Sequence, residues 1–323
     1  MRIDTISNGP LASAAESARE AEAAGYDGVI WPEIAHDPFL PVALGAAATE
    51  RIELFTGIAV AFARNPMSVA VTANDLHRLS GGRFVLGLGS QIKPHITKRY
   101  SMPWSRPADR MREFVLAVRA IWSSWEQSTP LRFEGEFYTH TLMTPMFDQG
   151  PSEHGTPKVF VAAVGPGMTR VAGEVADGLM AHGFTTPEYL RDVTMTNLAA
   201  GLAAAGRDRS EVEVTLPLMT VVDGPDVEQS MRATRMQLGF YGSTPAYRPV
   251  LEHHGWGDLG DELNRLSKAG DWEAMGRAID DEVVETFAIV SDRDSVAAAV
   301  EERFGGLVDR VQTGLEAAVV SHS

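Results

Sequence analysis

The sequence predicts an α/β fold, a (β/α)8 TIM barrel with an inserted helical segment after the seventh strand. Three observations carry this prediction. Apolar strand-like runs alternate with helix-like stretches until eight strands have been counted. The strand runs are continuously apolar, as expected of strands buried on both faces of a parallel sheet. No Gly/Ser linker or charge run divides the 323 residues. Residues 1–323 therefore read as one domain, of a size that α/β barrels commonly reach.

Each element has a local cause. Residues 4–7 form the first strand-like run. Pro10 opens a helix in which Leu11, Ala14, Ala18 and Ala21 recur at helical spacing, and Gly25 ends it. Residues 28–31 are apolar and stop at Pro32. Residues 52–61 make a longer run with β-branched side chains. Pro66 starts a helix to Leu79, Ser80-Gly81-Gly82 turns the chain, and 84–88 is the fourth strand. Pro107 opens a long helix with Met111, Phe114, Val118, Ile121 and Trp125 on one stripe. Strand 159–164, helix 168–176, strand 179–181 and helix 187–205 follow. Residues 212–222 read as the seventh strand. The stretch 226–281 reads as several helices inserted before helix 295–304 and the last strand, 308–311.

Composition narrows the functional classes. Hydrophobic residues make up 44% and charged residues 22%, which fits a globular protein. The absence of cysteine excludes disulfides, cysteine–zinc sites, iron–sulfur clusters and a thiol nucleophile. A net charge of −15 repels phosphate backbones, so nucleic acid is not an expected partner. The first residues lack a secretion-signal pattern, and no run approaches about 18 uninterrupted apolar residues. A cytoplasmic protein without membrane contact is expected. Its expected partners are a small-molecule substrate and a second copy of the chain, as a homodimer.

A barrel of this kind carries its functional residues just after the strands, at the C-terminal face. After the second strand stand Glu33 and His36, candidates to hydrogen-bond a ring or move a proton; the plain alternative is a capped turn at Asp37-Pro38. In the third strand, Thr56-Gly57-Ile58 places a glycine inside an apolar run. That means a bulge or a backbone platform for a planar ligand. The fourth strand ends in Gly87-Leu88-Gly89-Ser90-Gln91, which lacks the third glycine of a dinucleotide fingerprint. Lys93, His95, Lys98 and Arg99 follow, a cationic loop in an acidic chain. It suits an anionic tail or a set of surface salt bridges. The fifth strand ends in Ala163-Val164-Gly165-Pro166-Gly167-Met168, a glycine-rich turn into a helix start and the best local anion site. His182 ends the sixth strand. No metal is expected: His253 and His254 are adjacent, and Glu136 and His140 lack a third ligand.

Four segments carry a family resemblance. They are Ala21-Glu22-Ala23-Ala24-Gly25-Tyr26-Asp27-Gly28-Val29-Ile30-Trp31-Pro32-Glu33, Ala47-Ala48-Thr49-Glu50-Arg51-Ile52-Glu53-Leu54-Phe55-Thr56-Gly57, Leu76-His77-Arg78-Leu79-Ser80-Gly81-Gly82-Arg83-Phe84-Val85-Leu86-Gly87-Leu88-Gly89 and Arg170-Val171-Ala172-Gly173-Glu174-Val175-Ala176-Asp177-Gly178. Together they resemble the bacterial luciferase-like monooxygenase superfamily, in its deazaflavin (coenzyme F420)-dependent oxidoreductase branch. The resemblance implies a barrel whose mouth holds coenzyme F420. A non-proline cis peptide at Gly57–Ile58 would lie against the ring. The resemblance further implies phosphate contacts at Ala163, Gly165 and Gly167, and a hydroxyl contact at Ser90. Thr56, Gln91, Lys93, His95 and Met168 complete the expected cofactor-binding set, with Glu33, His36 and His182 as catalytic candidates.

One departure bears on the chemistry. Deazaflavin-dependent sugar-phosphate dehydrogenases of this branch keep an Asp-His pair where this chain has Glu33 and Ile34, and a glutamate where it has Ile92. Their proton-transfer pair is absent here. The leading expectation is an F420-dependent hydride transfer to or from a small organic substrate. The alternatives are a reduced-FMN monooxygenase and a non-catalytic flavin-type binding protein.

Overall fold

The computed structural model describes residues 1–321. Eight strands form the barrel: β1 (Arg2–Ile6), β2 (Gly28–Trp31), β3 (Glu53–Thr56), β4 (Phe84–Gly89), β5 (Lys158–Ala163), β6 (Gly178–Ala181), β7 (Glu213–Pro217) and β8 (Arg310–Gln312). Each pairs in parallel with the next. β8 closes the ring on β1, with Arg310 opposite Arg2.

Helices cover the outside. They are α1 (Ala14–Ala23), α2 (Phe39–Ala48), α3 (Pro66–Leu79), α4 (Pro107–Gln127), α5 (Pro166–Val175), α6 (Thr196–Ala205) and, just before the last strand, the helix Val296–Phe304. The α4 stripe read from the sequence is buried at all five positions. Each such side chain contributes about 1.5–3 kcal/mol of burial.

Two strands differ from the sequence pattern. The third run breaks at Gly57–Ile58 and resumes as Ala59–Val60, paired with Leu88 and Gly89. The seventh ends at Pro217, and Thr220–Val222 leaves the barrel to pair with Ile289–Ser291. Helix α2 has no counterpart in the sequence reading. It contains Pro41 and Gly45 in its interior, which break the helical signal, although Asp37 accepts the Phe39 N–H at its start and the Thr49 hydroxyl donates to the Gly45 carbonyl at its end.

Strand alternation sorts the core. Val159, Val161 and Ala163 face the helices, while Phe160 faces the axis with Ile30, Phe55, Val85 and Met180. Phe55 and Phe160 meet edge to face at 5.7 Å. At the N-terminal end of the barrel, Arg310 lies 1% exposed. Its Nε and Nη2 donate to Asp4 at 2.9 and 2.6 Å, and Nη1 donates to Glu53 at 2.5 Å.

Between β7 and β8 the inserted helices are α7 (Val227–Gly242), α8 (Arg248–His253), α9 (Gly257–Ala269), α10 (Trp272–Ala278) and α11 (Asp281–Phe287). They bury their own cluster, including Leu238, Leu251, Leu263 and Val284, against Phe184 and Tyr189 from the segment after β6. No helix among the described residues is long and apolar enough to cross a membrane.

Candidate active site

The loops after β2, β3, β4, β5 and β6 converge on the C-terminal mouth. Its inner wall starts at the β3 break, where the Gly57–Ile58 peptide is cis. Packing explains the glycines around it. A Cβ on Gly57 would lie 2.2 Å from Ile30 Cγ2 and 3.3 Å from Met180 Cε. A Cβ on Gly87 would lie 1.9 Å from the Thr56 carbonyl oxygen, and the Ile58 side chain fills the space over Gly89. These glycines let β3, β4 and β6 approach one another. Ile58 and Ala162 remain half-buried and face the mouth.

Glu33 clamps the break. Its backbone N–H donates to the Ile58 carbonyl at 3.2 Å. Its Oε2 accepts from the Val60 N–H at 2.8 Å and from Arg64 Nη1 at 2.6 Å, and its Oε1 accepts from the Tyr100 hydroxyl at 2.8 Å. Arg64 also donates to Asp37. A carboxylate holding three donors, one of them an arginine, is committed to shaping the mouth. Glu33, a proton-transfer candidate in the sequence, thus also has a positioning role. Arg64 and Tyr100 escaped the sequence reading because they lie 31 and 67 residues from Glu33, separations that no local spacing reveals.

Two further candidates gain a structural context. Thr56 is 0% exposed. Its hydroxyl donates to the Gly87 carbonyl at 2.8 Å and accepts from the Gly87 N–H at 2.9 Å. It locks β3 to β4, using its proton and one of its two lone pairs. The Ala163 side chain is buried among outward-facing residues, whereas Ala162 points to the axis. The parity of β5 decides this, so Ala163 can offer a ligand its backbone alone.

Next to this wall lies the turn into α5. Gly165 caps the helix in an extended conformation, and no other group lies within 4 Å of where its Cβ would be. Thr169 returns both N–H and hydroxyl to the Gly165 carbonyl. The N–H groups of Gly167 and Met168 have no protein acceptor among the described residues. Free first-turn donors with the helix dipole behind them receive an anion. After β4, which pairs with β5, comes Ser90, half-buried, its hydroxyl on the Gln91 carbonyl. Gln91 has φ 57°. Lys93, His95 and Lys98 are exposed and make no ion pair among the described residues. Arg99 donates to the Ile34 carbonyl at 2.8 Å, tying the basic loop to the β2 loop. His36 stands exposed on that loop.

His182 follows Met180 by two residues and so shares its inward side, about 6–7 Å further up the strand. The Phe184 N–H donates to its Nδ1 at 3.0 Å. Tyr247 from the insertion stacks on the ring at 4.5 Å, and Tyr241 meets it edge-on at 4.8 Å. Burial pushes the imidazole down to about 4 from 6.5. Between those values the unfolded chain takes up a proton that the folded protein refuses, so stability falls as pH falls from 6.5 to 4. The contribution is on the order of 3 kcal/mol. Burial also lowers His77, His140 and His254, in the same direction. Urea midpoints measured across this window should drop, and His182→Gln should flatten the slope by about one proton.

These features define a (β/α)8 barrel with a shaped apolar wall and, at the rim of its mouth, unbonded helix N–H groups beside exposed cationic side chains. The chain belongs to the luciferase-like monooxygenase family, whose profile matches residues 2–310. An uncharacterized protein of Mycobacterium tuberculosis is 54% identical over 313 residues, covering 96% of this chain and 92% of that one. The 5,10-methylenetetrahydromethanopterin reductase of Archaeoglobus fulgidus is 27% identical over 276 residues, covering 83% and 78%. Among solved structures, the coenzyme F420-dependent tetrahydromethanopterin reductase from Methanopyrus kandleri superposes with a TM-score of 0.80 at 21% identity, covering 99% and 95%.

Proposed function

We propose that this protein is a coenzyme F420-dependent oxidoreductase that moves a hydride between the deazaflavin and a small organic substrate. The observation that carries the reading is the pairing of two anion-receiving features on adjacent strands. Among the described residues, the N–H groups of Gly167 and Met168 after β5 have no acceptor, and Lys93, His95 and Lys98 after β4 make no ion pair. FMN and F420 share a ring, a ribityl chain and a phosphate; F420 adds an oligoglutamate tail, which gives the basic loop a use.

The bound deazaflavin would supply the hydride chemistry. The chain supplies position. Gly57 and Ile58 offer a backbone and side-chain wall for a flat ring. Gly165, Gly167 and Met168 receive the phosphate, with Ser90 for a ribityl hydroxyl. Glu33, through Arg64 and Tyr100, holds the wall in shape. His36 remains free on the rim to exchange protons with solvent.

Calorimetric titration with F420 and with FMN tests the reading. F420 should bind more tightly, and the double variant Lys93→Ala/Lys98→Ala should weaken it about 10-fold at low salt, less as salt rises. FMN affinity should not respond to that variant. FMN binding as tight as or tighter than F420 binding, indifferent to these lysines, would transfer the proposal to a reduced-FMN monooxygenase.

A further inference from the structure

We propose that Tyr247 is the proton donor to a carbonyl oxygen at this mouth, with His182 as the residue that orients it. The inference rests on the hydride-transfer reading above and names the substrate class, an aldehyde or ketone. The phenol comes from the insertion, in the short turn Pro245–Tyr247, and reaches the inward-facing His182.

The hydrogen-bond directions are set from one end. The Phe184 N–H donates to His182 Nδ1, so in the neutral ring that nitrogen carries no proton. The single ring proton then sits on Nε2, which lies 3.1 Å from the Tyr247 hydroxyl oxygen and donates to it. Tyr247 thus accepts from His182, and its own O–H has no protein acceptor among the described residues. Burial keeps His182 neutral, and burial, with Tyr241 beside it, pushes the Tyr247 phenol up to about 12. A neutral phenol with an uncommitted proton and a fixed donor behind its oxygen is built to give that proton away.

The substrate must supply the acceptor. As hydride from the reduced deazaflavin bonds to the carbonyl carbon, the C=O π pair moves to oxygen, and the Tyr247 O–H bond breaks to protonate it. Carbonyl becomes alcohol, gaining two electrons that the deazaflavin loses. The phenolate left behind is held by His182 Nε2–H until solvent reprotonates it. The rim suits an apolar body on that carbonyl, since Ile34 and Ile92 stand 65% and 49% exposed there.

Two measurements test the assignment. In cofactor-free protein, 15N spectra of the histidines should show His182 as the Nε2–H tautomer; a proton on Nδ1 overturns the arrangement. With F420 bound in its reduced form, deazaflavin oxidation is followed on adding cyclohexanone or benzaldehyde. Tyr247→Phe should bind F420 as wild type does, change KM less than 3-fold and lower kcat at least 100-fold. His182→Leu should lower kcat about 10-fold, and His182→Gln, which keeps an N–H donor, should restore most of it. A Tyr247→Phe enzyme within 3-fold of wild-type kcat overturns the proposal, as does a wild type that binds F420 yet oxidises it with neither carbonyl. Failure to bind F420 at all removes the cofactor reading, and the proton-donor step with it.

Discussion

Replacing Arg310 with methionine should destabilise the protein by about 3–5 kcal/mol, read as a lower urea midpoint with unchanged slope. The size follows from what is left behind. Glu53 keeps Arg2 at 3.0 Å, and Glu213 keeps Lys158 at 2.5 Å. Asp4 keeps nothing: among the described residues its carboxylate bonds to Arg310 alone. It is buried in the barrel floor, where an unpaired charge is far more costly than a lost surface bridge. Arg310 also covers the Phe55 ring at 4.8 Å, so methionine keeps part of the packing and isolates the charge effect. Removing Asp4 as well, in Asp4→Leu/Arg310→Met, should restore most of the loss, because the penalty belongs to the orphaned partner.

The pH dependence has a fixed sign. Burial raises the Asp4 pKa above 3.8 even with Arg310 present, and removing Arg310 raises it further. The folded variant then holds a proton that the unfolded chain has already released. Its deficit relative to wild type should shrink as pH is lowered toward 4 and be fully present above the raised value. A deficit constant from pH 8 to 4 would mean that Asp4 is not the group left stranded.

The barrel was legible because each strand is a short apolar run bounded by glycine, proline or a helix start, and burial on both faces demands that pattern. Helix α2 was not, since Pro41 and Gly45 lie inside it and it is held by packing Val42 and Ala46 inward, with part of its C-terminal capping coming from the distant Arg83. Within the third family segment, the stretch Leu-Ser-Gly-Gly-Arg-Phe proves to be architecture. Arg83 donates to the carbonyls of Ala46, Thr49, Ile52 and Ser80, closing the C-terminal end of α2 against the entry to β3 and β4. It sits at the floor, opposite the mouth. Glu22 does similar work, accepting the N–H groups of Glu50, Arg51 and Ile52.

Candidates that one strand end supplies, such as Gly165 or His182, could be picked out from the sequence. The site was not legible where side chains from distant loops combine. Tyr100 and Arg64 on Glu33, and Tyr247 on His182, are brought together by barrel closure and by the packing of the insertion. The sequence also cannot say which neighbour occupies a hydroxyl. Thr56 is the example: its hydroxyl both donates to the Gly87 carbonyl and accepts from the Gly87 N–H.

Gly165→Val should leave the fold intact and weaken F420 binding about 100-fold, or about 2.7 kcal/mol. The two effects separate because of the local geometry. At φ −99° and ψ 164° the backbone is ordinary extended chain, which valine adopts readily. No other group stands within 4 Å of the new Cβ, so the thermal midpoint should move by no more than about 2 °C. The open space it would enter belongs to the same turn as the free Gly167 and Met168 N–H groups, and branched methyls there are expected to hold a phosphate beyond hydrogen-bond reach of them. Gly87→Ala makes the opposite control: its Cβ meets the Thr56 carbonyl at 1.9 Å, and the loss there is of the fold itself, not of affinity. Calorimetry and thermal unfolding on the two variants would distinguish a phosphate turn from a merely well-packed one. A Gly165→Val protein that binds F420 like wild type would place the phosphate elsewhere on the rim and leave the α5 turn as a simple helix start.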